Sequence, residues 1–247
     1  MSIYEAIFNR CSVREYEMEK LAPGRLEALE RYLKNIALLD EEKTVKFEII
    51  DNSDGKQKIH GLWKVEAPYY LAIYCGNDQL SVRNAGYAAE QAVLYLTSKE
   101  LGTCYLGATK AGEEKKDGLK RFLVIAFGRA AGRPSRDSSL AHRASLAALC
   151  VFKDEPGEQV KAILRAARLA PSSFNSQPWR FVVYSDRIYI FAKKTLPFSG
   201  KEKHAFKEFN IGIMLSHIML AAEELWMNME TQVEDQFAKK DYKNGEY

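Results

Sequence analysis

The chain has 247 residues, which suits one large domain or two small ones and leaves room for a buried core. Its 36 basic and 33 acidic residues leave a formal charge of +3 without a long Lys/Arg block, so nothing indicates a nucleic-acid partner. The apolar runs are too short to span a bilayer, and the charged start lacks the apolar core of a signal peptide. We therefore expect a cytoplasmic protein that does not bind membranes.

Several kinds of chemistry are excluded by what the sequence lacks. It has no GxG, no GxxxxGK[ST] and no HExxH, so it has no Rossmann, P-loop or metal-helix motif. Four scattered cysteines without a CxxC argue against a zinc site and a disulfide framework, and they favour a reducing compartment. The four histidines are isolated, and His217 lies within the most apolar helix, where a hydrogen-bonded core role is expected.

The first part of the chain alternates between helical and strand-like patterns. In order, the patterns predict a helix over 25–36, strands over 45–50 and 67–75, a helix over 87–102 and a strand over 121–128. Gly102, a typical C-cap residue, is expected to end the second of these helices. The Gly-, Ser-, Pro- and Arg-rich residues 128–143 are the best linker candidate.

A similar order of elements then begins again. The patterns predict a helix over 158–170, strands over 179–184 and 187–192, and a long helix over 209–226 that is apolar almost all round. The alternation indicates an α/β or α+β protein. At an offset of 134, residues 34–50 align with 168–184, and at an offset of 124, residues 88–101 align with 212–225. We therefore expect two related halves, 1–140 and 141–247, that form one compact unit.

Each half has one distinctive segment of its own. The first half opens with "RCSVREY" (Arg10–Tyr16), and the second contains the loop "APSSFNSQPW" (Ala170–Trp179). The counterpart of this loop in the first half is the acidic connection "ALLDEEKTV". Two distinctive segments, one from each half, indicate a single site shared between the halves.

Together with "AAEQAVLYLTSKELGTCYLG", these segments resemble the nitroreductase family of FMN-dependent oxidoreductases, over most of residues 3–128 and 158–230. The resemblance implies an α+β fold (an α/β sandwich) and the equivalent of a family homodimer fused into one chain. It also implies one retained FMN site, because acidic residues stand where the second site would lie and Ala147 replaces its second arginine. The chain is then expected to be a monomeric pseudo-dimer, although further pairing stays open.

The resemblance also implies a set of cofactor-binding residues. An arginine and a hydroxyl two residues apart suit the FMN phosphate, and an arginine near the flavin ring stabilises the charge of reduction. The loop offers short polar groups to the flavin, and backbone N–H groups after the first-half helix approach the ring. The set comprises Arg10, Ser12 and Arg14, Pro171, Ser172, Ser173 and Asn175, Leu106 and Gly107, and Arg143 as an additional phosphate cation.

Plainer interpretations of the same residues stay open. Arg10 and Arg14 are also compatible with a solvated helical face, and the loop side chains with caps that bond only their own backbone. Arg143 is one of four arginines that follow the strand over 121–128, and it is also the counterpart of Arg10 at an offset of 133. Gln177 and Trp179 are expected to support the loop, with Trp179 packed inward.

The function that the resemblance implies is hydride transfer from NADH or NADPH through FMN to a small-molecule acceptor, a nitroaromatic or quinone. No catalytic side chain and no metal site are assigned. The alternative is a flavin-binding or carrier protein without turnover. Within the enzymes, a relative that consumes its flavin or removes halides is a third possibility.

Overall fold

The structure is a computed structural model that describes residues 1–57, 60–61, 65–107, 109–193 and 201–232. Six helices are formed by these residues: α1 (Ile3–Asn9), α2 (Pro23–Lys34), α3 (Gln79–Ser98), α4 (Leu146–Leu149), α5 (Glu158–Arg168) and α6 (Lys201–Glu224). The same residues contain none long and apolar enough to cross a membrane.

Ten strands form three sheets. The first-half strands are β1 (Val45–Asp51), β2 (His60–Gly61), β3 (Tyr69–Cys75), β4 (Gly102–Leu106), β5 (Thr109–Lys110), β6 (Lys115–Lys116) and β7 (Leu119–Gly128), and the later ones are β8 (Cys150–Phe152), β9 (Trp179–Val183) and β10 (Ile188–Ala192). The main sheet is antiparallel with the order β1-β3-β7-β4, and β6 pairs with β7. The second sheet has the order β10-β9-β8 with β8 parallel to β9, and β2 pairs with β5. The predicted mixed α+β architecture is therefore confirmed.

Strand β3 lies in the middle of the fold, and all seven of its residues are buried. Leu71 and Ile73 point into the core that the helices share with the second sheet. Ala72 and Tyr74 point to the opposite face, into a cluster that includes Val13. Because side chains alternate along a strand, burial on both faces gives the continuous apolar run by which β3 was predicted.

Helices α3 and α6 cross at two glycines. A Cβ atom on Gly86 would overlap the carbonyl oxygen of Phe209, and one on Gly212 would overlap the carbonyl oxygen of Arg83. The two backbones therefore touch directly, which only residues without a Cβ permit. This crossing makes the long apolar helix a buried central element, as predicted.

The end of α3 differs from the prediction. The Leu101 N–H donates to the Leu96 carbonyl at 3.0 Å, which closes the helix through Glu100 in the left-handed conformation, φ 63°. Gly102 is instead the first residue of β4, where a Cβ would lie 2.8 Å from the Val13 side chain. The C-cap assignment of Gly102 was wrong, because this glycine is required by packing rather than by the helix end.

The helix α6 begins at Lys201, eight residues before the predicted start, because its first two turns are polar and fall outside the apolar pattern. It ends at Glu224, and the exposed Trp226 follows with φ 56°. The polar tail 235–247 lies outside the described residues.

Three pairs of matching features recur at a spacing of 126 residues. They are the crossing glycines Gly86 and Gly212, the left-handed helix ends Glu100 and Trp226, and the buried asparagines Asn84 and Asn210. This spacing is two residues longer than the 124 expected from the sequence.

Candidate functional site

The segment that follows α1 is fixed by backbone contacts on both sides. The helix is closed at its start by a capping box of Ser2 and Glu5, and it ends with Arg10 as the C-cap. Beyond it, Arg10 bridges to Ser135, Ser12 bridges to Thr103, and Tyr16 bridges to Ala130. The segment therefore lies between the start of β4 and residues 130–135, which were predicted to be part of a linker.

The Arg10 side chain is buried without a partner. It is 6% exposed, its Nη1 atom is inaccessible, and no hydrogen bond or ion pair joins its guanidinium to the described part of the chain. Nearby, the buried Nε of Arg136 also has no partner among the described residues. Unpaired buried polar groups of this kind are rare in folded proteins, which makes these two side chains candidates for binding a ligand.

Four arginines share this region. Burial first, and then the charges of Arg10 and Arg136, lower the pKa of Arg143 from 12.5 to about 10, and Arg168 adds to the effect. The negative charge of Glu90 acts in the opposite direction. Within the described ranges, none of the four arginines forms an ion pair with a carboxylate. This arginine cluster therefore has an excess of positive charge, which an anion would balance.

The loop of residues 169–177 borders the arginine cluster in a strained conformation. Phe174 and Asn175 both have φ 54°, and Gln177 has φ 45°, in the left-handed region that side chains other than glycine disfavour. The Phe174 side chain is 97% exposed, whereas Trp179 directly after the loop is fully buried, as predicted. Strain of this kind persists only where the surrounding contacts determine the backbone.

Those contacts come from both sides of the loop. The Ser173 N–H and hydroxyl donate to Asn210 Oδ1 on α6, at 3.1 and 3.3 Å. The Ala144 N–H donates to Gln177 Oε1 at 2.8 Å, and the Gln177 N–H donates to Ser172 Oγ at 2.9 Å. The supporting role predicted for Gln177 agrees with these bonds.

Arg143 and Asn175 connect the loop to the residues that follow a short 3-10 helix, Ser138–Leu140. Arg143 Nη1 donates to Asn175 Oδ1 at 2.9 Å, and Asn175 Nδ2 donates to the His142 carbonyl at 2.9 Å. The structure thus brings together Arg143, predicted from one segment, and Asn175, predicted from another.

Strand β4 ends beside the arginine cluster. Burial raises the pKa of the Cys104 thiol, and the positive charges of Arg14 and Arg10 oppose this shift. Leu106 is buried at the end of the strand, whereas Gly107 directly after it is exposed. Burial suits a packing role for Cys104.

A buried polar chain lies behind β4. The Tyr105 hydroxyl donates to Glu90 Oε2 at 2.6 Å, and Glu90 Oε1 lies 2.8 Å from His217 Nε2. His217 Nδ1 lies 2.9 Å from the Ala166 carbonyl, so this nitrogen carries a proton. Burial and Glu90 raise the pKa of Tyr105 well above 10. As predicted, His217 is a hydrogen-bonded core residue.

The remaining predicted residues lie at the edges of the site. Ser12 and Arg14 are exposed beside the buried Arg10, and Pro171 is buried at the start of the loop. Sequence reasoning missed Arg168 and Asn210 and did not single out Arg136. Two signals were present: Arg168 ends the helix before the loop, and Asn210 interrupts an otherwise apolar helix.

The family follows from comparison with known proteins. A family model described as "Putative TM nitroreductase" matches residues 2–222. Because this match covers most of the chain, the protein belongs to this nitroreductase family. A comparison with curated proteins finds no match.

Solved structures share the fold. A structure described as a putative nitroreductase from Thermotoga maritima MSB8 has a TM-score of 0.68 and 21% identity, and the alignment covers 96% of this chain and 91% of that one. A nitroreductase family protein from Clostridium difficile 630 has a TM-score of 0.51 and 14% identity, with 63% and 100% of the two chains covered. At these identities the likeness concerns the fold.

Proposed function

We propose that the protein is an FMN-dependent oxidoreductase of nitroreductase type, which takes hydride from NADH or NADPH and passes it to a nitroaromatic, a quinone or a similar small acceptor. Membership of the nitroreductase family supports the general class. The observation that carries the proposal is the buried Arg10 guanidinium, which has no partner among the described residues. Burying an unpaired cation costs free energy, so a fold that retains one indicates an anionic ligand.

The residues present fit a phosphate-bearing cofactor. Arg10 offers guanidinium donors, which match phosphate geometry, and Ser12, two residues further along the segment, is exposed. Among the described residues, no cluster of three or more His, Cys, Asp or Glu side chains is placed to hold a metal ion.

Other residues would orient the flavin. We assign Arg14 to the polar edge of the ring, where a cation stabilises the negative charge of the reduced state. The loop residues Pro171, Ser172, Ser173 and Asn175 would border the cofactor, and the backbone of Leu106 and Gly107 would approach its ring. When bound, FMN supplies the chemistry of accepting and donating hydride, while the chain supplies position and charge.

Absorption spectroscopy of the purified protein tests this function. We expect a yellow protein, after FMN addition if necessary, that bleaches rapidly with NADH or NADPH under anaerobic conditions and recovers on addition of a quinone. A yellow protein that neither nucleotide bleaches would instead be a flavin carrier. A protein that cannot take up FMN would contradict both functions.

The proposal includes the organisation of the chain. Residues 1–140 and 141–247 would be related halves that form one site for one FMN, and the chain would act as a monomer. The features that recur at a spacing of 126 support this relation. A cytoplasmic location is part of the same proposal, because all four cysteines are free thiols, as in a reducing compartment.

A further inference from the structure

Most N–H donors of the Arg143 guanidinium form hydrogen bonds within the protein itself. An arginine side chain has five N–H donors. In Arg143, Nε donates to the Ala170 carbonyl at 3.1 Å and Nη2 to the Leu169 carbonyl at 3.3 Å. Its Nη1 donates to the His142 carbonyl at 3.1 Å and to Asn175 Oδ1 at 2.9 Å. Four of the five donors are thus used, and one is left for a ligand.

Arg136 is in the opposite situation. No described residue accepts a hydrogen bond from its side chain, and its Nε is buried. Its backbone N–H donates to the Asn9 carbonyl at 2.7 Å, and the bridge between Arg10 and Ser135 lies directly beside it. The Arg136 backbone therefore lies next to that of Arg10, and both side chains keep free donors within the described part of the chain.

The charges of Arg10 and Arg136 both affect the Arg143 guanidinium. Both lower the pKa of Arg143, so both of their charges lie close to it. Three mutually repelling cations without carboxylate partners in the described ranges destabilise the folded state unless an anion binds between them. The donors that such an anion would find open are those of Arg10 and Arg136.

We infer that Arg136, together with Arg10, binds the phosphate of the cofactor, and that Arg143 is a positioning residue which fastens the loop 169–177 with Asn175. The inference rests on the proposed function for the identity of the anion. It replaces the sequence-based choice of Arg143 as the phosphate cation. It also gives Asn175 a different role, since both ends of its carboxamide hold residues 142–143.

The two roles have different consequences for two flavins. FMN carries the phosphate and riboflavin does not, but both have the ring and the ribityl chain. Replacing Arg136 by Met should lower FMN affinity at least tenfold and leave riboflavin affinity within twofold. Replacing Arg143 by Lys keeps the charge but removes the planar fork, so the affinities for both flavins should fall by a similar factor.

A second measurement reports the loop without any flavin. Phe174 is 97% exposed, so chymotrypsin can cleave after it once the loop is loosened. We expect Arg143→Lys and Asn175→Ala to be cleaved at Phe174 at least fivefold faster than the wild type, and Arg136→Met at the wild-type rate. Arg136→Gln, which keeps a polar end without the charge, should match Arg136→Met.

The experiment is fluorescence titration of each variant with FMN and riboflavin, with cleavage followed by mass spectrometry. Arg129→Met is the matched control, because it removes the same charge from the same segment at an exposed arginine that pairs with Glu19. It should bind both flavins like the wild type. Circular dichroism should show folded protein in every case.

Three results would overturn the inference. One is FMN affinity within twofold of the wild type in Arg136→Met, and another is a selective loss of FMN over riboflavin in Arg143→Lys. The third is unchanged cleavage in both Arg143→Lys and Asn175→Ala. A wild-type protein that binds neither flavin would contradict the proposed function instead, and the cleavage comparison would still decide the role of Arg143.

Discussion

Asn84 on α3 and Asn210 on α6 each accept a backbone hydrogen bond from a loop that precedes a strand. Asn84 Oδ1 accepts the Leu39 N–H at 2.8 Å, and Asn210 Oδ1 accepts the Ser173 N–H at 3.1 Å. The asparagines are 126 residues apart, and their partners are 134 apart, the offset that aligns the preceding helices and strands. Each central helix thus anchors the loop before β1 or β9, but only the second loop has the composition of a flavin site.

This pair provides an internal comparison. Asn210→Ala and Asn84→Ala each leave partly buried backbone N–H groups without their acceptor, so each should lower the free energy of unfolding by about 0.5–1.5 kcal/mol. Only Asn210→Ala should also weaken FMN binding, because only its loop borders the arginine cluster. Urea unfolding and FMN titration of the two variants check this, and an equal loss of affinity in both would show that the loops are not functionally distinct.

Replacing Arg10 should raise the stability of the flavin-free protein and weaken FMN binding. In Arg10→Met the stem still packs, but the unpaired cation is gone, so the flavin-free protein should become about 1–3 kcal/mol more stable. FMN affinity should fall at least tenfold, because the charged donors are lost. Thermal melts with and without FMN measure both effects. A variant that is less stable than the wild type without flavin would indicate that Arg10 has a structural partner.

A single FMN should saturate each chain. The candidate second site has Asp40, Glu41 and Glu42 in its loop, and the carbonyls of Asp40 and Lys43 are bonded to Asn84. Arg143, the sequence counterpart of Arg10, is turned toward the other loop. Equilibrium dialysis at saturating FMN should therefore give one equivalent, and two equivalents would contradict the asymmetry.

The helix crossing should tolerate no added methyl group. Gly86→Ala or Gly212→Ala would force apart two backbones in contact, with a loss of about 3 kcal/mol or more in the free energy of unfolding. Gly132→Ala is the control, since nothing lies within 4 Å of its added Cβ. Urea unfolding of the three variants compares them, and a mild effect at both crossing positions would mean that the helices can separate at little cost.

Asp78 should make part of the stability of α3 dependent on pH. It caps the helix, and hydrogen bonds from Ser81, with the nearby Lys43 ammonium, lower its pKa from 3.8 to about 2. Because the folded pKa lies below the unfolded one, the contribution is complete above about pH 4 and disappears as the pH falls through 2.

Asp78→Ala should therefore cost about 1 kcal/mol at pH 7, a typical value for an N-cap, and progressively less between pH 4 and pH 2. Urea unfolding of the variant and the wild type at pH 7, 4 and 2.5 provides the comparison. A difference that stays constant with pH would exclude the ionised carboxylate as its source.

Local patterns were sufficient for most of the fold. Strands such as β1 and β9 were predicted within one residue, because alternating or continuous apolar residues reflect the faces that become buried. The helix ends were harder. Gly102 resembled a cap, but Glu100 adopts the left-handed conformation, which depends on the hydrogen bonds at that helix end.

The site was predictable only to the level of its segments. Arg10 and the loop carry a recognisable composition, so their meeting could be expected. The roles of Arg136 and Arg143 could not, because they depend on which donors find acceptors in three dimensions. In sequence, both are arginines in one polar connection, and only the structure distinguishes the paired side chain from the unpaired one.

The segment Arg10–Tyr16 and the strained loop 169–177 belong to the same polypeptide and lie more than 150 residues apart in sequence. A site assembled from two separate subunits falls apart on dilution below their dissociation constant. Here the covalent link and the close contact of α3 with α6 keep the two parts at a fixed, high effective concentration. The affinity for the ligand should thus be the same at nanomolar and at micromolar protein.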